Sequence, residues 1–290
     1  MADVCTQGID TGFVSLGYFK VAMLGVVQGI TELLPISSTA HMRLVPAVLG
    51  WPDPGSAFSA AMQLAALGAV VSYFWTDVRS LAVNSISSFA RGRFRDPQFL
   101  FVVWIVIATI PIGIGGLALA KVLNTCNSPL RSVSVIGWSC IVMAVLLGLA
   151  EILARHRRTI EKATIWDAII VGLAQTGALI PGVSRSGSTL TAALMLGFKR
   201  DEAARLSFLL GLPAIALAGL KELWELHKIH LDWHAWSVLL LGLGVAAVSA
   251  FFAIWGLMKT LENFSSWPFA VYRLLLGIVI LAGVAMGWLT

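Results

Sequence analysis

The sequence predicts an all-α integral membrane protein built as an inverted repeat of two halves, each a re-entrant helical hairpin plus three transmembrane helices. Three observations carry that prediction. The 290 residues are 58% hydrophobic and only 12% charged, about half the charge of a soluble domain, for which roughly 25% is usual. Apolar stretches of about 20 residues, long enough to span a bilayer, recur along the chain. Two polar segments rich in hydroxyls and small residues interrupt the apolar pattern, one in each half: Pro35-Ile36-Ser37-Ser38-Thr39-Ala40-His41 and Pro181-Gly182-Val183-Ser184-Arg185-Ser186-Gly187-Ser188-Thr189, with their prolines 146 residues apart.

Taken in order, residues 17–50 form the first interrupted stretch, and 56–75, 98–120 and 131–153 are uninterrupted crossings. Residues 164–198 form the second interrupted stretch, followed by crossings at 206–226, 236–257 and 269–289. Irregular backbone at membrane depth is tolerated only where protein buries it or water reaches it. Each interrupted stretch is therefore expected to be a re-entrant hairpin with the Pro-Ser loop near its tip. One hairpin and three crossings per half invert the second half relative to the first, as in many transporters. The chain is expected to be a single polytopic domain, 1–290, with the first repeat at 1–153 and the second at 164–290.

Charge orients this scheme. Arg79, Arg91, Arg93, Arg95, Arg155, Arg157, Arg158, Lys162, Lys199, Arg200, Arg205 and Lys259 fall on one side, against Lys20, Lys121, Arg131, Lys221 and Lys228 on the other. The richer side is expected to be cytoplasmic. Both termini then face outward. The net charge of +5 follows from this bias, so nucleic acid is not an expected partner. The first twelve residues lack a basic stretch followed by an apolar run, so no signal peptide is expected. Cys5, Cys126 and Cys140 form no CxxC pair and are expected to be small apolar fillers.

Few ionisable groups sit inside the apolar segments: Glu32, His41, Arg43, Arg185 and Arg273. Such residues are costly in a bilayer and are functional candidates by default. Arg185 offers planar, bidentate donors suited to phosphate oxygens. Gly182 and Gly187 allow backbone N–H groups close to an anion. A serine becomes nucleophilic when a base takes its proton, and His41 is near enough in sequence to Ser38 for that role; His41 attacking directly or activating water is the variant reading. Glu32 is suited to orient His41 or to hold a divalent cation with Gln28, four residues before it, as a neutral oxygen ligand. Arg273, near a helix start, is suited to snorkel or to pair with a buried group.

Gln28-Gly29-Ile30-Thr31-Glu32 and Pro35-Ile36-Ser37-Ser38-Thr39-Ala40-His41 together resemble the (E/Q)xxxE and PxSSTxH signatures of the bacterial undecaprenyl-diphosphate phosphatases, the bacitracin-resistance family. Pro181-Gly182-Val183-Ser184-Arg185-Ser186-Gly187 resembles that family's PGxSRSG signature, and the stretch from Trp267 to Arg273 is also similar to family members. The resemblance covers nearly the whole chain. It implies an enzyme of the bacterial plasma membrane that hydrolyses undecaprenyl diphosphate to the monophosphate and inorganic phosphate. That reaction recycles the lipid carrier for peptidoglycan and other envelope polymers and confers bacitracin resistance. It also implies a site open to the outer face, and a divalent cation, Mg²⁺ or Ca²⁺, as cofactor.

Carried over by position, Glu32 matches the essential acid, Arg185 the phosphate-binding arginine, Ser38 the nucleophile and His41 its histidine. Ser37, Thr39, Ser184, Ser186, Gly187 and Thr189 would line the phosphate site, and Glu32 with Gln28 would face the metal. Gln28 stands where glutamate is commoner, and Ala40 where glycine is usual. The first departure removes a charge and leaves the metal to Glu32 and the substrate's diphosphate. Expected partners are an isoprenyl diphosphate lipid, bilayer lipids and, in a homodimer, a second copy. The alternative from another class is a transporter or flippase of isoprenoid phosphates, for which inverted repeats and an anion site at mid-membrane also suffice. The hydroxyl, histidine and acid set favours the enzyme.

Overall fold

A computed structural model describes residues 5–6, 9–119 and 132–289. Lys121, Cys126 and Arg131 lie outside the described residues. The chain opens with a two-residue antiparallel ladder, Cys5–Thr6 against Ile9–Asp10, and is helical thereafter. The helices are α1 (Gly17–Leu33), α2 (Ser38–Leu49), α3 (Ser56–Tyr73), α4 (Trp75–Ala90), α5 (Pro97–Ala118), α6 (Val133–Leu153), α7 (Ile165–Thr176), α8 (Arg185–Met195), α9 (Arg200–Lys228), α10 (Trp233–Asn263) and α11 (Trp267–Ala285).

Local sequence explains most of the boundaries. Asp96 caps α5 by accepting from the N–H groups of Gln98 and Phe99, with Pro97 at the first helical position. Thr164 and Asp167 form a reciprocal capping box at α7, and Asp232 caps α10. Asp201 and Glu202 in the first turn of α9, with His227 and Lys228 in its last, complement the helix dipole.

Six described helices are long and apolar enough to cross a membrane: Gly12–Leu33, which joins a short 3₁₀ turn to α1, and α5, α6, α9, α10 and α11. The last five coincide with five of the six expected crossings, and the protein is a multi-pass membrane protein. At the sixth expected crossing, 56–75, α3 occupies Ser56–Tyr73. The helix stops at Tyr73, and α4 leaves it at 83°. Phe74 turns the backbone there, buried against Phe208, and the Arg205–Asp77 ion pair at 2.7 Å anchors the first turn of α4. Residues expected to form a loop after 76 are therefore helical. Val83, Ile86 and Phe89 of α4 are exposed.

Helix α1 packs along α10, and α7 packs along α5; α3 lies against α9 and α10, and α6 against α11. The first two pairings are glycine-mediated. A Cβ on Gly25 would sit 2.8 Å from the Gly242 carbonyl oxygen, and one on Gly172 would sit 2.6 Å from that of Ala108. Close approach of this kind is how helices gain van der Waals contact inside a bilayer, where lipid is as apolar as leucine.

Candidate active site

Both Pro-Ser segments break a helix and restart it in the same way. Leu34 to Ser37 separate α1 from α2, and Ile180 to Ser184 follow the 3₁₀ turn that ends α7 and lead into α8. Ser37 and Ser184 are the N-caps, with φ of 73° and 67°, a region non-glycine residues seldom adopt. Each serine oxygen accepts from the N–H three residues on, Ala40 for Ser37 and Gly187 for Ser184. The structural register of the two loops is thus 147 residues, one more than the spacing of their prolines.

Hydrogen bonds tie the loops together. Ser186 Oγ donates to the carbonyls of Glu32 (3.2 Å) and Leu34 (3.1 Å). Arg273, on α11 and fully buried, donates to the Pro35 carbonyl at 3.2 Å, to that of Gly182 at 2.5 Å and to that of Val183. A buried guanidinium supplies several fixed donors in one fork, and here they satisfy carbonyls freed by two broken helices. Its role is to join the two Pro-Ser loops, a partner choice that the sequence left open. Gly187 makes room for it: a Cβ there would lie 2.5 Å from Arg273 Nη1. The expected role of Gly187 in approaching an anion is corrected accordingly, because its N–H is given to Ser184 and its bare Cα to Arg273.

The chemistry collects around Glu32, which is buried. Its Oε2 accepts from Gln28 Nε2 at 2.9 Å and from Ser38 Oγ at 2.7 Å. Its Oε1 lies 3.8 Å from Arg185 Nη2. An acid, a hydroxyl at the start of a helix and a guanidinium therefore converge from two loops distant in sequence. None of the three Arg185 nitrogens has a hydrogen-bond partner, and neither does Gln28 Oε1. Buried polar atoms are paired in the large majority of cases, which marks this group as the candidate site.

Other expected residues fall differently. The expected pairing of His41 with Ser38 is corrected. One turn into α2, His41 directs Nδ1 to the Ser37 carbonyl at 2.7 Å and Nε2 to the Tyr272 hydroxyl at 2.7 Å. A carbonyl only accepts, so Nδ1 carries the proton. Ser37 is buried and engaged in capping, and Thr39 is exposed. Ser184 Oγ lies 3.2 Å from Ser186 Oγ. Thr189, fully buried, bonds the Arg185 carbonyl at 2.8 Å and Ser207 Oγ at 2.5 Å, which anchors α8 to α9. Arg43 pairs with Asp53 on the surface, both about 40% exposed. Cys140 is a buried filler beside Ile136 and Leu276.

Tyr272 and Gln175 were not among the expected site residues. Gln175 has a sequence signal once the loops are registered on their serine caps, since it lies 147 residues after Gln28. Among the described residues no group of three His, Cys, Asp or Glu side chains is placed to hold a metal. The unpartnered Gln28 Oε1 and the Glu32 carboxylate beside it are oxygen donors of the kind a hard cation takes and shares with substrate phosphates.

Similarity to known proteins agrees with this geometry. The family model described as "Bacitracin resistance protein BacA" matches residues 21–279. "Undecaprenyl-diphosphatase 2" of Mesorhizobium japonicum is 73% identical over 263 residues, covering 91% of this chain and 100% of that protein. "Undecaprenyl-diphosphatase" of Synechococcus elongatus is 46% identical over 275 residues (94% and 96%), and that of Gloeobacter violaceus is 45% identical over 278 residues (94% of each). With more than half its length matched by the family model and relatives aligned almost end to end, the chain belongs to the bacitracin resistance protein family.

Proposed function

We propose that this protein is an undecaprenyl-diphosphate phosphatase, releasing inorganic phosphate and undecaprenyl monophosphate. The observation that carries the reading is the Ser38–Glu32 hydrogen bond facing the unpartnered Arg185. Arg185 and the N-terminal turn of α8 receive the diphosphate. Ser38 Oγ attacks the terminal phosphorus as Glu32 takes its proton, and the bridging P–O bond breaks so that the isoprenyl monophosphate departs. Water then attacks the phosphoserine; the serine oxygen leaves with the proton held on Glu32, and dihydrogen phosphate departs. His41 positions the first turn of α2 through Ser37 and Tyr272. Phosphoryl transfer needs chiefly positioning and charge neutralisation, and this set supplies both.

Glu32 and Gln28 would hold a divalent cation, Mg²⁺ or Ca²⁺, which when bound supplies charge neutralisation at the diphosphate. An apolar groove of about 1010 Å³ between α1 and α10, lined by Val26, Ile30, Leu34, Val248 and Phe252 among others, supports a polyprenyl substrate. It reaches Leu34, whose carbonyl holds Ser186.

Two inverted repeats with re-entrant hairpins account for several coincidences at one offset of 147: Gly25 and Gly172 in helix contacts, Gln28 and Gln175 buried, and Ser37 and Ser184 as caps. The basic loops then lie in the cytoplasm and the site opens outward. Phosphate release from undecaprenyl diphosphate by purified protein in detergent, with Mg²⁺ and with chelator, tests the reading. Folded wild-type protein without activity under any metal would move the weight to lipid transport.

A further inference from the structure

The second hairpin holds a polar group that neither the packing nor the steps above use. Gln175, in the last turn of α7, is 1% exposed, and neither Oε1 nor Nε2 has a hydrogen-bond partner. Ten residues on, Nε, Nη1 and Nη2 of Arg185 are equally buried and make no hydrogen bond. Both side chains approach the bare Cα of Gly211 on α9: a Cβ there would lie 2.0 Å from Arg185 Nη1 and 3.6 Å from Gln175 Oε1. Five buried polar atoms are thus without a partner, two of them, Arg185 Nη1 and Gln175 Oε1, beside this one glycine, and a buried network left unsatisfied destabilises the fold that carries it.

The offset of 147 makes Gln175 the counterpart of Gln28 and Leu179 the counterpart of Glu32. In α1 the amide Nε2 is taken by the carboxylate four residues on. In α7 leucine stands there, so the amide remains free, and the nearby charge is the arginine. The first hairpin thus presents an acid and an amide oxygen, suited to a proton and a cation; the second presents donors, suited to an anion.

We propose that Gln175 is a ligand of the substrate's diphosphate, its Nε2–H donating to a phosphate oxygen that Arg185 also holds. The assignment rests on the phosphatase reading for the identity of the anion. It predicts that replacing the amide by an apolar group of similar shape improves the empty protein and impairs the loaded one, an inversion that a packing residue would not give.

The test uses full-length protein in detergent, wild type beside Gln175→Leu and Gln175→Glu, with the rise in melting temperature on adding inorganic pyrophosphate and Mg²⁺ as readout. Gln175→Leu is expected to melt at or above the wild-type temperature without ligand and to need at least tenfold more pyrophosphate for the same rise. Gln175→Glu, which sets a carboxylate against phosphate, is expected to be weaker still. A Leu variant responding within twofold of wild type overturns the assignment. If that variant does not fold, a Glu variant that binds as well as wild type overturns it. Turnover of undecaprenyl diphosphate by wild type tests the parent reading separately: pyrophosphate binding that depends on Gln175 without phosphate release keeps the ligand and removes the reaction.

Discussion

Ser38 Oγ and Glu32 Oε2 are 2.7 Å apart because the break at Leu34–Ser37 places the first hydroxyl of α2 beside the acid in the last turn of α1. Two groups sharing one proton act as a unit, and units show non-additive losses. Ser38→Ala and Glu32→Gln are each expected to lower kcat by about 10³ or more, with the double variant no slower than the slower single. Phosphate release under saturating substrate checks this. Losses that multiply would separate the two groups.

His41 is held between the Ser37 carbonyl and Tyr272, away from Ser38. His41→Gln is therefore expected to cost about tenfold in kcat, and Tyr272→Phe less. Positioned general bases contribute roughly 10² to 10⁴, so a thousandfold loss in His41→Gln at unchanged melting temperature would return the base role to the histidine.

Arg273 donates to three carbonyls drawn from both Pro-Ser loops. Arg273→Met leaves buried acceptors unpaired, each worth about 1–3 kcal/mol, and is expected to destabilise the protein by about 3 kcal/mol or more. Gly187→Ala crowds the same guanidinium and is expected to cost about 1–3 kcal/mol. Thermal melts in detergent check both. A wild-type melting temperature for Arg273→Met would show that the clamp is dispensable.

The two close helix approaches are expected to respond alike. Gly25→Val and Gly172→Val each push a side chain into a carbonyl of the neighbouring helix, with losses of about 1–3 kcal/mol. Gly68→Val on α3 meets nothing within 4 Å and is the control. Unequal effects at Gly25 and Gly172 would weaken the case for equivalent repeats.

Chelator is expected to abolish phosphate release, with Mg²⁺ or Ca²⁺ restoring it. Gln28→Glu places a second carboxylate beside Glu32 and is expected to lower the metal concentration giving half-maximal activity, as added ligand charge does at oxygen sites. Unchanged metal dependence would remove Gln28 from the cation.

Much of the architecture is legible in one dimension. Hydropathy identifies membrane-spanning segments because burial in lipid tolerates little else, and α5, α6, α9, α10 and α11 start or end within a few residues of where that pattern places them. The segment after 75 is helical where a loop was expected, because hydropathy does not see the bend at Phe74, which depends on Phe208 and Arg205 of a helix more than a hundred residues away.

By itself, the sequence determined the membrane class, the two broken segments and the short list of ionisable groups in apolar surroundings: Glu32 and Arg273 are buried, and the Arg185 side chain is only 9% exposed. Only the tertiary structure decided their partners. Spacing suggested that His41 would meet Ser38, yet His41 bonds Tyr272, 231 residues away, and Arg273 bonds Pro35, 238 residues away. Burial is a property of a segment and can be read from its composition. A hydrogen bond is directional and short, and which donor reaches which acceptor depends on how distant helices cross.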